Sequence, residues 1–185
     1  MYFQSGDSIR FTLTPTYELL ERDLEISPGV VLPANGAYDF TRYRLTLSTA
    51  DRRALSVSTQ YENGGFFSGH RRNFDLNVGI RPIPGVLINV NNEWNRIELP
   101  EGSFSTRILR LNANTQFSPS ISLVNNLQHD SVSHVLGWQS RLRWILRPGN
   151  NFYLVYAHNW VDQPGSERVT LDRSATRKLT YTHRF

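Results

Sequence analysis

The feature that most limits what this chain can become is a period-two alternation of apolar and polar residues, repeated in about ten pieces separated by Gly, Pro, Asn or Asp clusters. Successive side chains on a strand point to opposite faces, so each piece reads as a strand with one apolar side and one polar side. In the first, Ile9, Phe11, Leu13, Tyr17 and Leu19 alternate with Arg10, Thr12, Thr14, Thr16 and Glu18. The second sets Tyr43, Leu45 and Leu47 against Arg42, Arg44, Thr46 and Ser48, and the third sets Leu55, Val57, Thr59 and Tyr61 against Ser56, Ser58, Gln60 and Glu62. The fourth opposes Phe74, Leu76, Val78 and Ile80 to Asn73, Asp75, Asn77 and Gly79. In the fifth, Val86, Ile88, Val90 and Trp94 face away from Asn89, Asn91, Glu93 and Asn95. The sixth has Leu109, Leu111, Ala113 and Phe117 against Arg110, Asn112, Asn114 and Gln116, and the seventh carries Val124 on its polar parity. The eighth is the most emphatic, with Trp138, Leu142, Trp144 and Leu146 against Gln139, Arg141, Arg143 and Arg147. The ninth runs from Phe152 to Trp160 with apolar residues on both parities, and the last sets Leu179, Tyr181, His183 and Phe185 against Lys178, Thr180, Thr182 and Arg184.

Connector lengths alternate too. Short connectors are expected at 49–52, 81–85, 117–120 and 147–150, each with Asp, Pro or Gly-Asn turn chemistry. The alternate set is longer, at 27–37, 99–103 and 161–174, with 63–65 as a short exception. An up-and-down sheet places successive connectors at opposite ends, so one end carries tight turns and the other carries loops, as in outer-membrane barrels. The expected fold is therefore all-β: an antiparallel, up-and-down transmembrane β-barrel of about ten strands (eight to twelve), with short periplasmic turns and longer extracellular loops. Residues 1–6 read as the remnant of a protease-recognition tag, leaving 7–185 as one barrel domain, a portion of a larger outer-membrane protein.

Composition excludes other classes. No apolar run approaches the roughly 18 residues a spanning helix needs, and the absence of cysteine removes disulfides and thiolate metal sites. The formal charge of +4 would suit a nucleic-acid binder only if the basic residues clustered with stacking aromatics on an exposed patch. Here they alternate strand by strand, so no nucleic-acid partner is expected.

Which parity faces outward separates two readings. A soluble lipocalin-like barrel turns its apolar parity inward around a ligand, whereas a membrane barrel turns it toward lipid. Several observations favour the second. Tyr61, Trp94, Phe117, Trp138, Trp144, Phe152, Trp160 and Phe185 fit membrane-interface girdles. The end of the chain, with Leu179 and Tyr181 in phase with a final Phe185, resembles the signal that outer-membrane proteins present to the barrel-assembly machinery. On this reading Arg10, Arg42, Arg44, Arg110, Arg141, Arg143, Arg147 and Arg184 face the lumen, outnumbering the inward Glu18, Glu62, Asp75 and Glu93. About ten strands enclose little more space than the eight whose side chains fill the interior, so the expectation is a plug of ion pairs with at most a narrow, anion-favouring path.

A second resemblance covers roughly the last 80 residues. Phe117 to Leu123 (FSPSISL), Asn126-Leu127-Gln128, Arg141 to Trp144 (RLRW), Arg147-Pro148-Gly149 and Tyr153 to Tyr156 (YLVY) resemble the C-terminal barrel of an uncharacterised family. Members of that family carry a β-sandwich similar to family 9 carbohydrate-binding modules ahead of the barrel. The resemblance implies an outer-membrane location in a Gram-negative bacterium and brings no catalytic residues.

An enzyme is not expected; a barrel-embedded hydrolase is the remaining alternative. His129 and Asp130 are consecutive on a strand and point to opposite faces, so His129, Asp130, Ser131 and His134 read as a polar hairpin loop. His70 with Arg71 and Arg72, and His158 with Asn159 and Asp162, read as rim residues without zinc-like spacing. No metal or other cofactor is expected. The expected partners are the lipid bilayer and the assembly machinery, the latter through the last strand. Pro15, inside the first strand, removes one ladder donor and points to an edge or bulge.

Overall fold

The computed structural model of the chain describes residues 1–162 and 167–182. Among them there is no helix, and so none long and apolar enough to cross a membrane. The strands are β1 (Ser8–Leu19), β2 (Leu24–Ser27), β3 (Val30–Leu32), β4 (Ala37–Ser48), β5 (Leu55–Phe66), β6 (Gly69–Ile80), β7 (Val86–Leu99), β8 (Gly102–Ser118), β9 (Ile121–Asp130), β10 (Val135–Arg147), β11 (Asn150–Val161) and β12 (Val169–Thr180). All but β2 and β3 form one ten-stranded antiparallel sheet in the order β1-β4-β5-β6-β7-β8-β9-β10-β11-β12, while β2 and β3 pair as a separate hairpin. Every strand of the large sheet lies beside its neighbour in sequence once that hairpin is set aside, which is the expected up-and-down meander.

The described sheet is open: its order begins at β1 and ends at β12, and these edges are not joined into a barrel. Pro15 lies on β1 opposite Thr41, and an edge is where a strand tolerates a residue with no N–H to donate.

Several connectors differ from expectation. The 27–37 connector contains β3, with β2 just ahead of it, because Val30, Val31 and Leu32 can bury apolar surface. Residues 63–65 are strand, not turn, and the chain reverses at Phe67 and Ser68. The glycine there serves close packing: a Cβ on Gly64 would stand 2.3 Å from the Thr41 carbonyl oxygen. The 99–103 connector shrinks to two residues between β7 and β8. Much of 161–174 is strand, since β12 starts at Val169. Polar Asp172 and Ser174 read as loop by composition, yet they occupy ladder positions opposite Asn159 and Ala157.

The tight turns match their residues. Gly149 sits at φ 87° in the β10–β11 turn, a backbone conformation few side chains adopt. Ser118 Oγ accepts the N–H groups of Ser120 and Ile121 at 3.3 and 3.1 Å, closing the β8–β9 turn. At the N-terminus, residues 1–6 fold back along β1: Tyr2 bridges Ser8, and Asp7 Oδ1 accepts the Ala50 N–H at 3.0 Å.

The chain divides into two compact units. The first comprises Met1–Asp51, Ser56–Asn77 and Asn92–Arg107; the second comprises Arg52–Leu55, Val78–Asn91 and the chain from Ile108 onward. In the first, the polarity of an ordinary soluble sheet is reversed. Cross-strand rows Ile9–Leu47–Thr59, Phe11–Leu45–Tyr61 and Leu13–Tyr43–Asn63 stand on one face, where Phe11 is 66% and Leu13 53% exposed. Rows Thr12–Arg44–Glu62 and Arg10–Thr46–Gln60 stand on the other, and there Glu62 is only 4% exposed. The main apolar core is small and lies at one end of the unit, where Val30 and Leu32 of the hairpin pack with Ile97, Leu99, Phe66, Phe67 and Phe104.

Candidate functional site

The polar face of the first unit gathers charge. Antiparallel register brings Arg44 of β4 directly opposite Glu62 of β5. The Arg44 Nε donates to Glu62 Oε2 at 2.8 Å, with Nη2 on the same oxygen, and Arg42 Nη1 lies 3.5 Å from Oε1. One buried carboxylate therefore serves two guanidiniums. The Arg42 Nε is buried without a hydrogen-bond partner among the described residues. Beside this trio, Arg71 Nε and Asn73 Nδ2 of β6 both donate to Asn95 Oδ1 of β7, at 3.0 and 2.8 Å. The Asn95 Nδ2 in turn donates to Glu93 Oε1 at 3.4 Å.

Aromatic rings close one side of the cluster. The Arg42 guanidinium lies 5.7 Å from the Phe40 ring centroid, and Arg71 lies the same distance from Phe66. Rings of this kind attract cations through their negative faces. Phe67 joins Tyr38, Phe40 and Phe66 with centroids 5.3, 5.7 and 4.8 Å away, and Phe66 and Phe67 pack against the hairpin core. The order from sheet to hairpin is therefore ion pairs, then aromatics, then the apolar core of Val30 and Leu32.

The expected lumenal set is only partly brought together. Arg42, Arg44 and Glu62 converge, with Glu93 linked through Asn95. Asp75 is half-buried on the same parity of β6 as Asn73. Glu18 is exposed and stands opposite Tyr38, outside the cluster. Arg10 is exposed and donates to the Tyr2 hydroxyl at 2.8 Å. In the second unit, Arg110 donates to Asn91 at 2.9 Å and Gln128 at 3.3 Å. Arg141 and Arg143 are exposed on the corresponding parity, with Arg143 reaching Asn151 at 3.3 Å. Arg147 flanks a bulge by the β10–β11 turn, and Arg184 lies outside the described residues.

By sequence, Arg71 is expected at a rim beside His70 and Arg72. The strand starts earlier than expected, at Gly69, so Arg71 shares the Asn73 face and belongs to the cluster. Extending the alternation back by two residues would have found it. His70 faces the other way and contacts Asn63 at 2.6 Å.

Of the aromatics assigned to girdles, Tyr61, Phe117 and Trp144 are exposed, whereas Trp94, Trp138, Phe152 and Trp160 are half-buried. Leu179 is the penultimate residue of β12, Tyr181 follows its last residue, Thr180, and both are exposed; Phe185 lies outside the described residues.

No family model, curated protein or solved structure matches the chain.

Chemically, the cluster offers fixed cations in a partly dry setting. His129 pairs opposite Leu136 and Asp130 opposite Val135, so the two point to opposite faces. Asp130 Oδ1 instead accepts the Val132 N–H at 2.7 Å and the Ser133 N–H at 3.3 Å, which is turn chemistry. Among the described residues no three His, Asp or Glu side chains are grouped to hold a metal ion.

Proposed function

We propose that this chain is the transmembrane β-barrel domain of a bacterial outer-membrane protein, with a structural or passive-transport role and a narrow interior that favours anions. The observation that carries this reading is the reversed polarity of the first unit: Phe11, Leu13 and Tyr17 lie open on one face while Glu62 and Asn73 are buried on the other. In water such a face would waste roughly 1.5–3 kcal/mol for each large side chain left unburied. Against hydrocarbon the same arrangement is the favourable one, because lipid receives the leucines and the arginines are kept from it. Strand lengths suffice: ten of the twelve described strands run for 10 to 17 residues, at or above the 9–11 that a tilted spanning strand requires.

Closure belongs to the proposal, since no lipid-exposed sheet edge is tolerated within hydrocarbon. The resemblance of the C-terminal half to barrels preceded by a carbohydrate-binding-like sandwich supports an outer-membrane location, and the last strand would engage the assembly machinery.

The anion preference rests on the second unit, whose polar parity carries Arg110, Arg141, Arg143 and Lys178 against Asp130 and Asp172. Two measurements test the reading. The refolded protein should require detergent or vesicles to stay dispersed and should float with vesicles on a density gradient. Planar bilayer recordings should then show small, anion-selective currents. A protein that stays dispersed without detergent would sink the membrane reading, and cation selectivity would sink the anion path.

A further inference from the structure

The outward parity of the second unit is not uniformly apolar, and its departures are grouped. One cross-strand row runs Leu111–Leu127–Trp138–His158–Arg173, and the next toward the loop end runs Leu109–His129–Leu136–Trp160–Thr170. Across the first row lies a groove of about 320 Å³ that runs from Ala113 and Asn125 past Leu127 and Trp138 to Trp160, with Arg168 on its wall and Arg173 just outside it, opposite His158. That volume sits at the lower end of ligand-sized clefts, about 300–1,000 Å³.

The wall beside β12 is held firmly. His158 stacks on Trp160 with ring centroids 3.9 Å apart, and its two ring nitrogens contact the Tyr156 hydroxyl at 3.1 Å and the Thr170 hydroxyl at 3.0 Å. Trp138 meets Tyr156 edge-on at 5.3 Å. Arg168 is anchored by Asp162, 3.0 Å away, at the connector between β11 and β12. Among the described residues, no carboxylate stands on this face of β9–β12, so Arg173 has no acidic neighbour there.

From this geometry we infer that the groove binds one anionic, phosphate-bearing lipid, its acyl chain along Leu127, Trp138 and Trp160 and its phosphate between Arg168 and Arg173. The inference rests on the reading that this face meets lipid. Guanidinium groups match phosphate oxygens in geometry and charge, and basic clusters at membrane interfaces recognise such headgroups. An outward arginine without an anion is costly near the membrane midplane and cheap only close to the interface. A phosphate ligand removes that cost where water is scarce. Arg177, opposite Leu154 and further from the loop end, lies outside the groove and serves as a control.

The test uses the refolded full chain in detergent micelles, with dioleoyl phosphatidic acid and dioleoyl phosphatidylcholine as competing probes and retained lipid counted by native mass spectrometry. One phosphatidic acid should be retained with about a tenfold preference, the equivalent of one charge-assisted contact. The double variant R168Q/R173Q should abolish that preference, and R177Q should leave it intact. Equal retention of both lipids, or an equal loss in R177Q, would overturn the proposal while vesicle flotation still supported the membrane reading. Failure to float would remove both.

Discussion

The Glu62→Gln substitution tests the charged cluster most directly. Glu62 is 4% exposed and is bound by Arg44 at 2.8 Å and Arg42 at 3.5 Å. At an effective dielectric of about 20, unit charges about 4 Å apart attract by about 4 kcal/mol, before the cost of desolvating the carboxylate. Removing one partner of a buried pair costs about 3–5 kcal/mol, chiefly because charge is left buried without compensation. The two guanidiniums are not equally buried: the Arg42 side chain is 22% exposed and that of Arg44 is 40% exposed. Water therefore recovers part of their charge, and the expected loss falls to about 2–3 kcal/mol. Urea unfolding in micelles, followed by tryptophan fluorescence, reads that loss as a lower midpoint with an unchanged slope. A double-mutant cycle with Arg44→Gln should return a coupling of about 1–2 kcal/mol, within the range for residues in direct contact. Single-channel recordings of E62Q should also shift toward anions, because a negative charge leaves the interior. A stability change below about 0.5 kcal/mol, with no coupling to Arg44, would place the pair in the exposed class and refute the reasoning.

Three further outcomes follow from the same structure. Leu13→Arg should be nearly silent for a soluble sheet, since exposed substitutions change stability by about 0.5 kcal/mol or less, but should cost about 2–4 kcal/mol in vesicles if Leu13 lies near the bilayer midplane; comparing refolding yields in micelles and vesicles reads the difference. Leu32→Ala removes the one fully buried large side chain of the hairpin core and should cost about 2–5 kcal/mol, with hydrogen exchange rising across 24–32 before the β4–β5 ladder opens. Gly64→Ala forces a Cβ to within 2.3 Å of the Thr41 carbonyl, so β4 and β5 must separate locally, and a loss of about 1–3 kcal/mol is expected in the urea titration.

Much of the sheet was legible in the residues because period two is a local property. The pairing of alternation with turn chemistry located β1, β4, β7, β10 and the four short connectors, and parity alone set Arg42, Arg44 and Glu62 on one face and Leu13, Tyr43 and Leu45 on the other. Where alternation was weak or interrupted, the sequence was less informative. Gly64 and Gly65 looked like a turn because glycine is common in turns, while their role is to let β5 pass close to β4. The stretch before Leu179 looked like a loop because Asp172, Arg173 and Ser174 are polar, yet their ladder with β11 makes it strand.

By itself, then, the sequence determined the all-β class, the succession of strands and the two-faced character of each, since these depend on the order of residues along one strand. The tertiary structure decided which face is covered and which side chains meet. Arg71 meets Asn95 only through cross-strand packing, and the hairpin of Val30 and Leu32 finds its core on Ile97 and Leu99, far along the chain. Thr170 reaches His158, and Arg168 reaches the groove beside Trp160, only once β11 and β12 pair. Such contacts depend on register, a relation between strands that no single stretch of residues contains.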